Sequence, residues 1–277
     1  SMRQVSALVP NHSVSAADAV LVCGGSAYGL DAAGGVLAWL EEQGRGTRVG
    51  SMRVPSVPSA AVFDLFTGNG RVRPDRAMGR DACLDAREAG ILEGRVGAGA
   101  GATVGKLMGL ERAAWGGVGV AGVELPGGLV VTAMAVVNAF GSVRDPETRA
   151  FVAGAFADDG LPADPTELVM AGVMGERLRS MTNTTIGVIV TNASLDQDAC
   201  RRAAVMAGQA LPDCIVPCQT MVDGDMVFAA SAGEIMADPH QVGIAGRKAL
   251  SRAVIRAVTA GERTGPSRPG SRTEAEQ

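Results

Sequence analysis

Short apolar runs alternate with segments of helical periodicity along the chain. Residues 19–23 (Ala-Val-Leu-Val-Cys) form such a run and end at a Gly-Gly pair, which predicts a buried strand. The next segment has apolar residues on one helical face, so we expect a helix capped by Asp31 and ended by Gly44. A proline-punctuated stretch to about residue 75 is predicted to be mostly loop, and a second helix is predicted over residues 81–89.

The second half of the chain has the clearer β pattern. Residues 118–125 and 129–138 are β-type runs separated by Pro-Gly-Gly, which is typical of a hairpin. Further elements are predicted at residues 186–190 (strand), 226–230 (strand) and 242–260 (amphipathic helix).

Ser194 and Gln197 have the spacing of a capping box in front of a helical run at residues 199–211. Since strands and helices occur throughout and no linker interrupts them, the pattern predicts one mixed α/β domain over residues 1–262, with layered sheets and helices. The composition then changes to Arg, Gly, Pro, Ser and Glu, which predicts a disordered tail over residues 263–277.

The composition argues against several classes of protein. Apolar residues make up 47% of the 277 residues and charged residues 19%, which excludes disorder over most of the length. The 25 Lys and Arg against 29 Asp and Glu give a net charge of −4, so we expect no nucleic-acid partner. No uninterrupted apolar run reaches about 18 residues, so we expect no membrane span. An odd number of cysteines, five, is typical of a reduced, cytoplasmic protein.

Histidine is scarce, which limits the possible chemistry. The chain contains only His12 and His240, each beside turn-forming residues. A Ser-His-Asp arrangement or a multi-histidine zinc site would have to use one of them. If the protein is an enzyme, we therefore expect a base other than imidazole, and we expect no metal and no cofactor.

The glycine-rich segment at residues 97–102 fits the loose Gly-x-Gly-x-x-Ala dinucleotide pattern. It follows Glu-Gly-Arg, which is a poor strand, so the context that the motif requires is missing. The same stretch ends in Gly105-Lys106, but a phosphate-binding loop needs Gly at Ala100 and Ser or Thr at Leu107. Neither motif supports nucleotide binding.

Two further patterns have ordinary explanations. Cys214 and Cys218 are separated by three residues, but no second cysteine pair lies near them, so two buried thiols are the favoured interpretation. Asp223-Gly224-Asp225 lacks the remaining ligands of a calcium loop and is typical of a turn.

Asn183-Thr184-Thr185 directly precedes the most strand-like run of the chain. Strand propensity explains Thr185, and the pattern alone does not distinguish Thr184 from any threonine at a strand edge. The segment also belongs to an ordered series of motifs that extends from about Arg3 to Ala260: residues 24–35 (GGSAYGLDAAGG), 54–58 (VPSVP), 97–106 (GAGAGATVGK), 136–139 (VVNA) and 183–188 (NTTIGV).

With these motifs, the chain resembles the L-aminopeptidase/D-esterase (DmpA-like) family, which includes β-peptidyl aminopeptidases and nylon-oligomer hydrolase. The resemblance implies an α/β fold, the four-layer α/β/β/α sandwich of the DmpA/ornithine-acetyltransferase type. It also implies self-cleavage between Asn183 and Thr184, giving an α segment (1–183) and a β segment (184–277). Similar proteins form αβ heterodimers that assemble into homotetramers of heterodimers, and they hydrolyse short peptides or amides, some as aminopeptidases.

The implied chemistry agrees with the scarcity of histidine. Once Thr184 is N-terminal, its α-amine, with a reference pKa of about 7.7–8.0, can act as the base for its own hydroxyl. The resemblance places the Asn138 side chain near the oxyanion and Lys106 close to the nucleophile. It also implies that Asp223 and Asp225 orient the nucleophile and the lysine.

The chain departs from the family pattern in three places. The aminopeptidase branch has a serine nucleophile and a Ser-x-Glu pair where this chain has Thr184 and Asp223-x-Asp225, which is nearer to the threonine branch with nylon-oligomer hydrolase. Phe63 stands where several relatives have a pocket tyrosine, so the hydroxyl contact to the intermediate is missing or supplied elsewhere. We expect Phe63 and Tyr28 to line the substrate pocket. Family members usually have a stretch before the point that matches Arg3, which leaves a first strand unaccounted for, through truncation or an incomplete sequence.

Two other functions stay open at this point. One is acyl transfer, as in the distantly related ornithine acetyltransferases, and the other is non-catalytic binding on the same scaffold. Each candidate residue also has an ordinary explanation: Lys106 could end a glycine-rich turn, Asn138 could close a strand, and the two aspartates could lie in a solvated loop.

Overall fold

Residues 1–8, 16–86, 90–157, 163–172 and 183–260 are described by the computed structural model. They form two structural units, Ser1–Ile91 and Leu92–Gln277, a division that the sequence pattern did not predict. A single functional domain over residues 1–262 stays a prediction, and the predicted tail over residues 263–277 lies outside the described residues.

The first unit is built around a small sheet. Its described strands and helices are β1 (Met2–Arg3), β2 (Leu21–Cys23), α1 (Ser26–Gly29), α2 (Ala32–Glu42), β3 (Thr47–Val49), β4 (Met52–Val54), β5 (Ser59–Ala61) and α3 (Arg76–Asp85). In the sheet, β5 lies between β1 and β2, antiparallel to β1 and parallel to β2. Helix α2 packs on α3, and the apolar side chains Val36, Leu40 and Val57 form a small core.

The predicted strand at 19–23 and the helix after Asp31 are confirmed as β2 and α2. The Asp31 side chain makes no capping hydrogen bond, however, and lies 3.7 Å from Arg76 Nε. The second helix begins before the predicted residue 81, because the Asp75 carboxylate caps it by accepting from Met78 N at 2.9 Å. It ends at Asp85, where Ala86 is extended, and residues 87–89 of the prediction lie outside the described residues. The expected loop also contains a hairpin, β3–β4, and the buried strand β5.

The second unit contains the larger sheet. Its described strands and helices are β6 (Thr103–Val104), β7 (Ala114–Trp115), β8 (Gly117–Glu124), β9 (Val130–Asn138), β10 (Ser142–Arg144), β11 (Phe151–Ala153), α4 (Pro165–Met170), β12 (Thr184–Ala193), α5 (Gln197–Gly208), α6 (Ala210–Cys214), β13 (Ile215–Val216), β14 (Met226–Ile235) and α7 (Pro239–Thr259). Four of the strands form a sheet in the order β14–β12–β9–β8. Within it, β12 is parallel to β14 and antiparallel to β9.

Helix α7 covers one face of this sheet. Alternate side chains of β9, from Val131 to Val137, join buried alanines of α7 in the main core. The helix also lies very close to β8 at Gly119, where an added Cβ would lie 2.1 Å from the Ala253 carbonyl oxygen. None of the helices in the described ranges is long and apolar enough to cross a membrane.

The predicted hairpin is confirmed by the antiparallel pairing of β8 with β9. The predicted strands at 186–190 and 226–230 are confirmed as parts of the longer β12 and β14, and the helix at 242–260 as most of α7. The mixed α/β class is therefore confirmed at the level of the elements.

The predicted capping box is wrong. Helix α5 is capped by the Asp196 carboxylate, which accepts from Ala199 N at 2.8 Å, and Ser194 N donates instead to the carbonyl oxygen of Ile235. The predicted run at 199–211 is also divided, since α5 ends at Gly208 and α6 begins at Ala210.

The close approach of the backbone at Gly105 can be tested with Gly97, which lies in a different turn, as the control. Both have positive φ, but a Cβ added at Gly105 would lie 2.2 Å from Ala155 N, whereas one added at Gly97 would meet nothing within 4 Å. We expect Gly97→Ala to lower the free energy of unfolding by about 1–2 kcal/mol, the cost of the left-handed backbone. Gly105→Ala should cost about 1–3 kcal/mol more, because the backbone at Ala155 must move. Urea denaturation of both variants measures the difference, and equal losses would contradict the close approach at Gly105.

Candidate active site

The ends of two neighbouring strands bring polar residues together in the second unit. Strand β12 begins at Thr184, and β9 ends at Asn138, which lies directly opposite it in the antiparallel register. Directly opposed residues point to the same face of a sheet, so the hydroxyl and the amide share one side. Both side chains are buried.

Lys106 reaches this place from the turn after β6. Its backbone N–H donates to the Phe140 carbonyl at 2.8 Å, and its side chain is only 3% exposed. The ammonium donates to Asn138 Oδ1 at 2.8 Å, to the Asn138 carbonyl at 3.2 Å and to Asn183 Oδ1 at 2.8 Å. An ammonium group has three donors, and all three of these acceptors are neutral oxygens.

The contacts of Asn138 fix the orientation of its amide. Its Oδ1 accepts from Thr103 N at 3.0 Å as well as from Lys106 Nζ. Because both partners are donors, the oxygen must lie on their side, and the Nδ2 group is the opposite, donating end of the amide. The side chain is thereby held as an oriented hydrogen-bond donor at the end of β9.

The peptide group between Asn183 and Thr184 is held by the backbone of residues 222–224. Asn183 N donates to the Val222 carbonyl at 2.8 Å, and the Asn183 carbonyl accepts from Gly224 N, also at 2.8 Å. The Thr184 hydroxyl donates to this same Asn183 carbonyl at 2.5 Å. A nucleophilic group therefore lies against the carbonyl that precedes it, and an independent N–H group polarises that carbonyl.

The two aspartates flank Gly224 and bind different backbone segments. Asp223 Oδ2 accepts from both the backbone N–H and the hydroxyl of Thr220, at 3.0 and 2.7 Å, and its Oδ1 lies 3.4 Å from Phe140 N. Asp225 Oδ1 accepts from Thr185 N at 2.7 Å. The carboxylates thus hold the start of β12 and the segment that follows β9.

Burial raises the pKa of Asp225, and the Thr185 N–H bond acts in the opposite direction. Cys218 contributes to this environment, since its thiol donates to Asp225 Oδ2 at a sulfur–oxygen distance of 3.5 Å. Burial also raises the pKa of Cys218, and the nearby Asp225 charge acts in the same direction. The thiol therefore stays protonated and serves as a weak donor to the carboxylate.

The structure brings together five of the residues selected from the sequence, together with Asn183: Thr184, Asn138, Lys106, Asp223 and Asp225. Val222 and Gly224, which act through backbone groups, are not predicted from the sequence. The only signal was the Asp-Gly-Asp sequence, a turn pattern without further specificity. Within the described ranges, no three His, Cys, Asp or Glu side chains come close enough to hold a metal ion.

Phe63 and Tyr28 lie in the first unit. The Phe63 ring packs edge-on against Phe66, with centroids 5.1 Å apart. Tyr28 is 59% exposed, and the Arg73 guanidinium lies over its ring at 3.7 Å. A role for either aromatic residue in a substrate pocket stays a prediction.

Comparison with known proteins extends over almost the whole chain. A family model described as Peptidase family S58 matches residues 1–268. A Mycobacterium tuberculosis protein named uncharacterized aminopeptidase is 40% identical over 92% of this chain and 78% of its own length. A 6-aminohexanoate-oligomer endohydrolase of Kocuria sp. is 32% identical over 78% of this chain and 61% of its own length.

Solved structures show the fold. The L-aminopeptidase D-Ala-esterase/amidase from Ochrobactrum anthropi, described as a variant of the Ntn-hydrolase fold, aligns with a TM-score of 0.55 at 18% identity. A β-aminopeptidase of Burkholderia sp. aligns with a TM-score of 0.52 at 21% identity. Each alignment covers 82% of this chain, but the chain spans only 61% and 64% of the respective structures. The predicted fold class is confirmed.

The raised pKa of Asp225 leads to a test by pH. Ionising this buried carboxyl costs more free energy in the folded than in the unfolded chain. The resulting loss of stability is absent at about pH 3, where the carboxyl is protonated in both states. It grows as the pH rises through and above the pKa of an aspartate in the unfolded chain, about 3.9. Asp225→Asn cannot ionise, yet retains an oxygen for Thr185 N. We expect it to melt at a higher temperature than the parent at pH 7 and to lose this advantage as the pH falls.

Differential scanning fluorimetry between pH 3 and pH 7 measures this difference. Asp81→Asn, which removes an exposed carboxylate from α3, is the control and should show a small, nearly constant difference. An Asp225→Asn variant that is less stable at pH 7 and recovers in acid would contradict the assigned sign.

Proposed function

Because the chain belongs to peptidase family S58, we propose that it is a self-cleaving hydrolase of short peptides or amides with Thr184 as its N-terminal nucleophile. The observation that supports this most directly is the hydrogen bond from the Thr184 hydroxyl to the Asn183 carbonyl, which also accepts from Gly224 N. Hydroxyl, carbonyl and an oxyanion donor are then assembled before any substrate binds.

Self-cleavage proceeds by transfer of the Asn183 acyl group from nitrogen to oxygen. Thr184 Oγ1 attacks the Asn183 carbonyl carbon, and the carbonyl oxygen gains charge while it is bonded to Gly224 N. Collapse breaks the C–N bond, and the hydroxyl proton ends on the freed nitrogen of Thr184. Water then hydrolyses the ester, releasing the Asn183 carboxylate and restoring the Thr184 hydroxyl.

Turnover uses the same hydroxyl with the α-amine as its base. The amine of an N-terminal residue has a reference pKa of about 7.7–8.0, so a large part is neutral near pH 7.5. Lys106 is buried in the same place, and its positive charge favours the neutral form of a neighbouring amine. This arrangement replaces the imidazole that the chain does not supply.

Asn138 provides a side-chain donor, in addition to Gly224 N, for the oxyanion formed during turnover. Thr103 N and Lys106 Nζ hold its oxygen, so its Nδ2 group is oriented without further reorganisation. A donor that is fixed in advance stabilises developing charge more than one that must turn during the reaction. Asp225 and Asp223 hold the backbone on either side of this arrangement.

The proposed products remain associated through the main sheet. Cleavage before Thr184 assigns β8 and β9 to the α segment, and β12 and β14 to the β segment, yet β9 pairs with β12 along eight residue pairs. We infer an αβ heterodimer of 1–183 and 184–277, and a homotetramer of such heterodimers is the proposed assembly. The five cysteines are free thiols, which supports a cytoplasmic location.

The relatives suggest the type of substrate. One is named an aminopeptidase and another an endohydrolase of 6-aminohexanoate oligomers, and both names describe hydrolysis of an amide bond. We therefore propose short peptides or amides, with aminopeptidase action as one form of the activity.

The self-cleavage proposal is tested at Thr184. We expect intact-mass spectrometry of the wild-type protein to show two chains divided before Thr184, whereas Thr184→Ala stays whole and inactive. Thr184→Ser keeps a hydroxyl and should still cleave. Thr185→Val is the matched control, because the neighbouring Thr185 hydroxyl is buried and has no hydrogen-bond partner among the described residues. It should cleave like the wild type, and an active wild-type chain that stays whole would overturn the mechanism.

The oxyanion proposal is tested at Asn138. We expect Asn138→Ala to lower kcat by about 10²–10³-fold per cleaved subunit, the usual effect of removing one oxyanion donor. Asn192→Ala is the control: it lies near the other end of β12 and also binds β9 through its side chain, accepting from Val130 N at 2.8 Å. Equal kcat values for the two variants would favour a non-catalytic role for Asn138.

A further inference from the structure

Every polar backbone group of Asn183, and the oxygen of its side chain, is held from outside its own segment. Its N–H binds the Val222 carbonyl, its carbonyl binds Gly224 N, and its Oδ1 binds Lys106 Nζ, each at 2.8 Å. The residue is only 1% exposed. Asn183 therefore lies in a formed site that contacts its backbone and its side chain separately.

The proposed mechanism gives this site a second use. During self-cleavage, Asn183 becomes an ester on Thr184 Oγ1, and during turnover the acyl residue of a substrate becomes an ester on the same oxygen. We propose that the place of Asn183 is the acyl-residue pocket, and that Lys106 makes it selective for side chains with a hydrogen-bond acceptor, and against cationic side chains, at the γ position. This inference rests on the proposed function.

The charge of Lys106 determines which side chains fit. A cationic side chain of similar length would place a second positive charge in a buried site, where like charges repel strongly. An apolar side chain of the same size would fill the space but would not replace the acceptor that Asn183 Oδ1 offers to the ammonium. An amide oxygen meets both demands, and the ammonium is satisfied in this way in the structure.

The other end of the same amide is not recognised. Asn183 Nδ2 is buried and has no hydrogen-bond partner among the described residues. The pocket therefore selects for the acceptor and not for the amide as a whole. A β-methyl ester of aspartate keeps the acceptor, lacks the two N–H donors and should serve as well as asparagine.

The Val222 carbonyl gives a second condition. It accepts one N–H from the backbone of Asn183, and either a free α-amine or a peptide N–H on a substrate can supply that donor. An acyl group without a nitrogen at this position leaves the carbonyl without the donor. The expected substrate class is an amide of an α-amino acyl residue with a short, acceptor-bearing side chain that carries no positive charge.

A matched series of p-nitroanilides tests the proposal on the cleaved wild-type enzyme. The acyl residues are asparagine, aspartate β-methyl ester, norvaline and 2,4-diaminobutyrate, which have similar length but differ at the γ position. We expect similar kcat/KM for the first two, a decrease of about tenfold or more for norvaline, and about a hundredfold or more for diaminobutyrate. The succinamoyl anilide, which lacks the α-nitrogen, should also fall by about tenfold.

Self-cleavage provides a readout that needs no added substrate. Asn183→Leu is nearly isosteric and should slow cleavage about tenfold, and Asn183→Lys should slow it about a hundredfold. Because either substitution could unfold the protein, each is also placed in the Thr184→Ala background, where a melting temperature near that of the parent shows that the fold is retained.

The outcomes separate this inference from the proposed function. If the anilides are hydrolysed in a Thr184-dependent manner, equal rates or a preference for diaminobutyrate would overturn the pocket and leave the hydrolase intact. If no anilide is hydrolysed, the proposed substrate class fails, and the Asn183 variants decide the pocket: slowed cleavage in the expected order supports it, and unchanged cleavage overturns it.

Discussion

The antiparallel register of β9 and β12 is the constraint on which the rest of the site depends. It places Thr184 opposite Asn138, at the last residue of one strand and the first of the other. A shift of one residue would turn every side chain of β12 to the other face of the sheet, moving the hydroxyl away from the amide. The core under α7 prevents such a shift, because the same alternation buries Val131 to Val137 against the helix. Packing on one face of β9 thus fixes the residue that lies opposite Thr184 at its end.

A buried ammonium is the second requirement of the site. Removing a lysine from water costs several kcal/mol unless its donors are satisfied. Three neutral oxygens, two of Asn138 and one of Asn183, contribute to meeting this condition for Lys106. The turn that carries Lys106 tolerates few substitutions, because Gly105 packs against the backbone of Ala155.

Elements with a strong local pattern were predictable from the sequence. The β8–β9 hairpin, β12 and α7 follow directly from apolar runs and turn residues. The N-cap of α5 was not predictable in this way, because Ser194 and Asp196 are both residue types that cap helices well. A distant contact decides between them: Ser194 N donates to the carbonyl oxygen of Ile235, and Asp196 caps the helix. Local preference cannot reveal which of two nearby caps tertiary pairing will occupy.

The site was predictable only in part. Lys106, Asn138 and the aspartates were selected through family resemblance, since their separate patterns are those of ordinary turns and strand ends. The groups that hold the Asn183 peptide, Val222 O and Gly224 N, belong to the backbone, which every residue possesses. No residue type marks them, and only the folded chain brings them to the peptide group between Asn183 and Thr184.

The sharing of one sheet between the two segments has a consequence for refolding. In an uncut chain, β9 finds β12 within one molecule, at a rate that does not depend on concentration. After a cut before Thr184 the same ladder must form between two separate polypeptides, so recovery after denaturation becomes bimolecular. The persistence of the cleaved protein would then depend on the rate at which it unfolds and its two segments dissociate, and not only on an equilibrium free energy of unfolding.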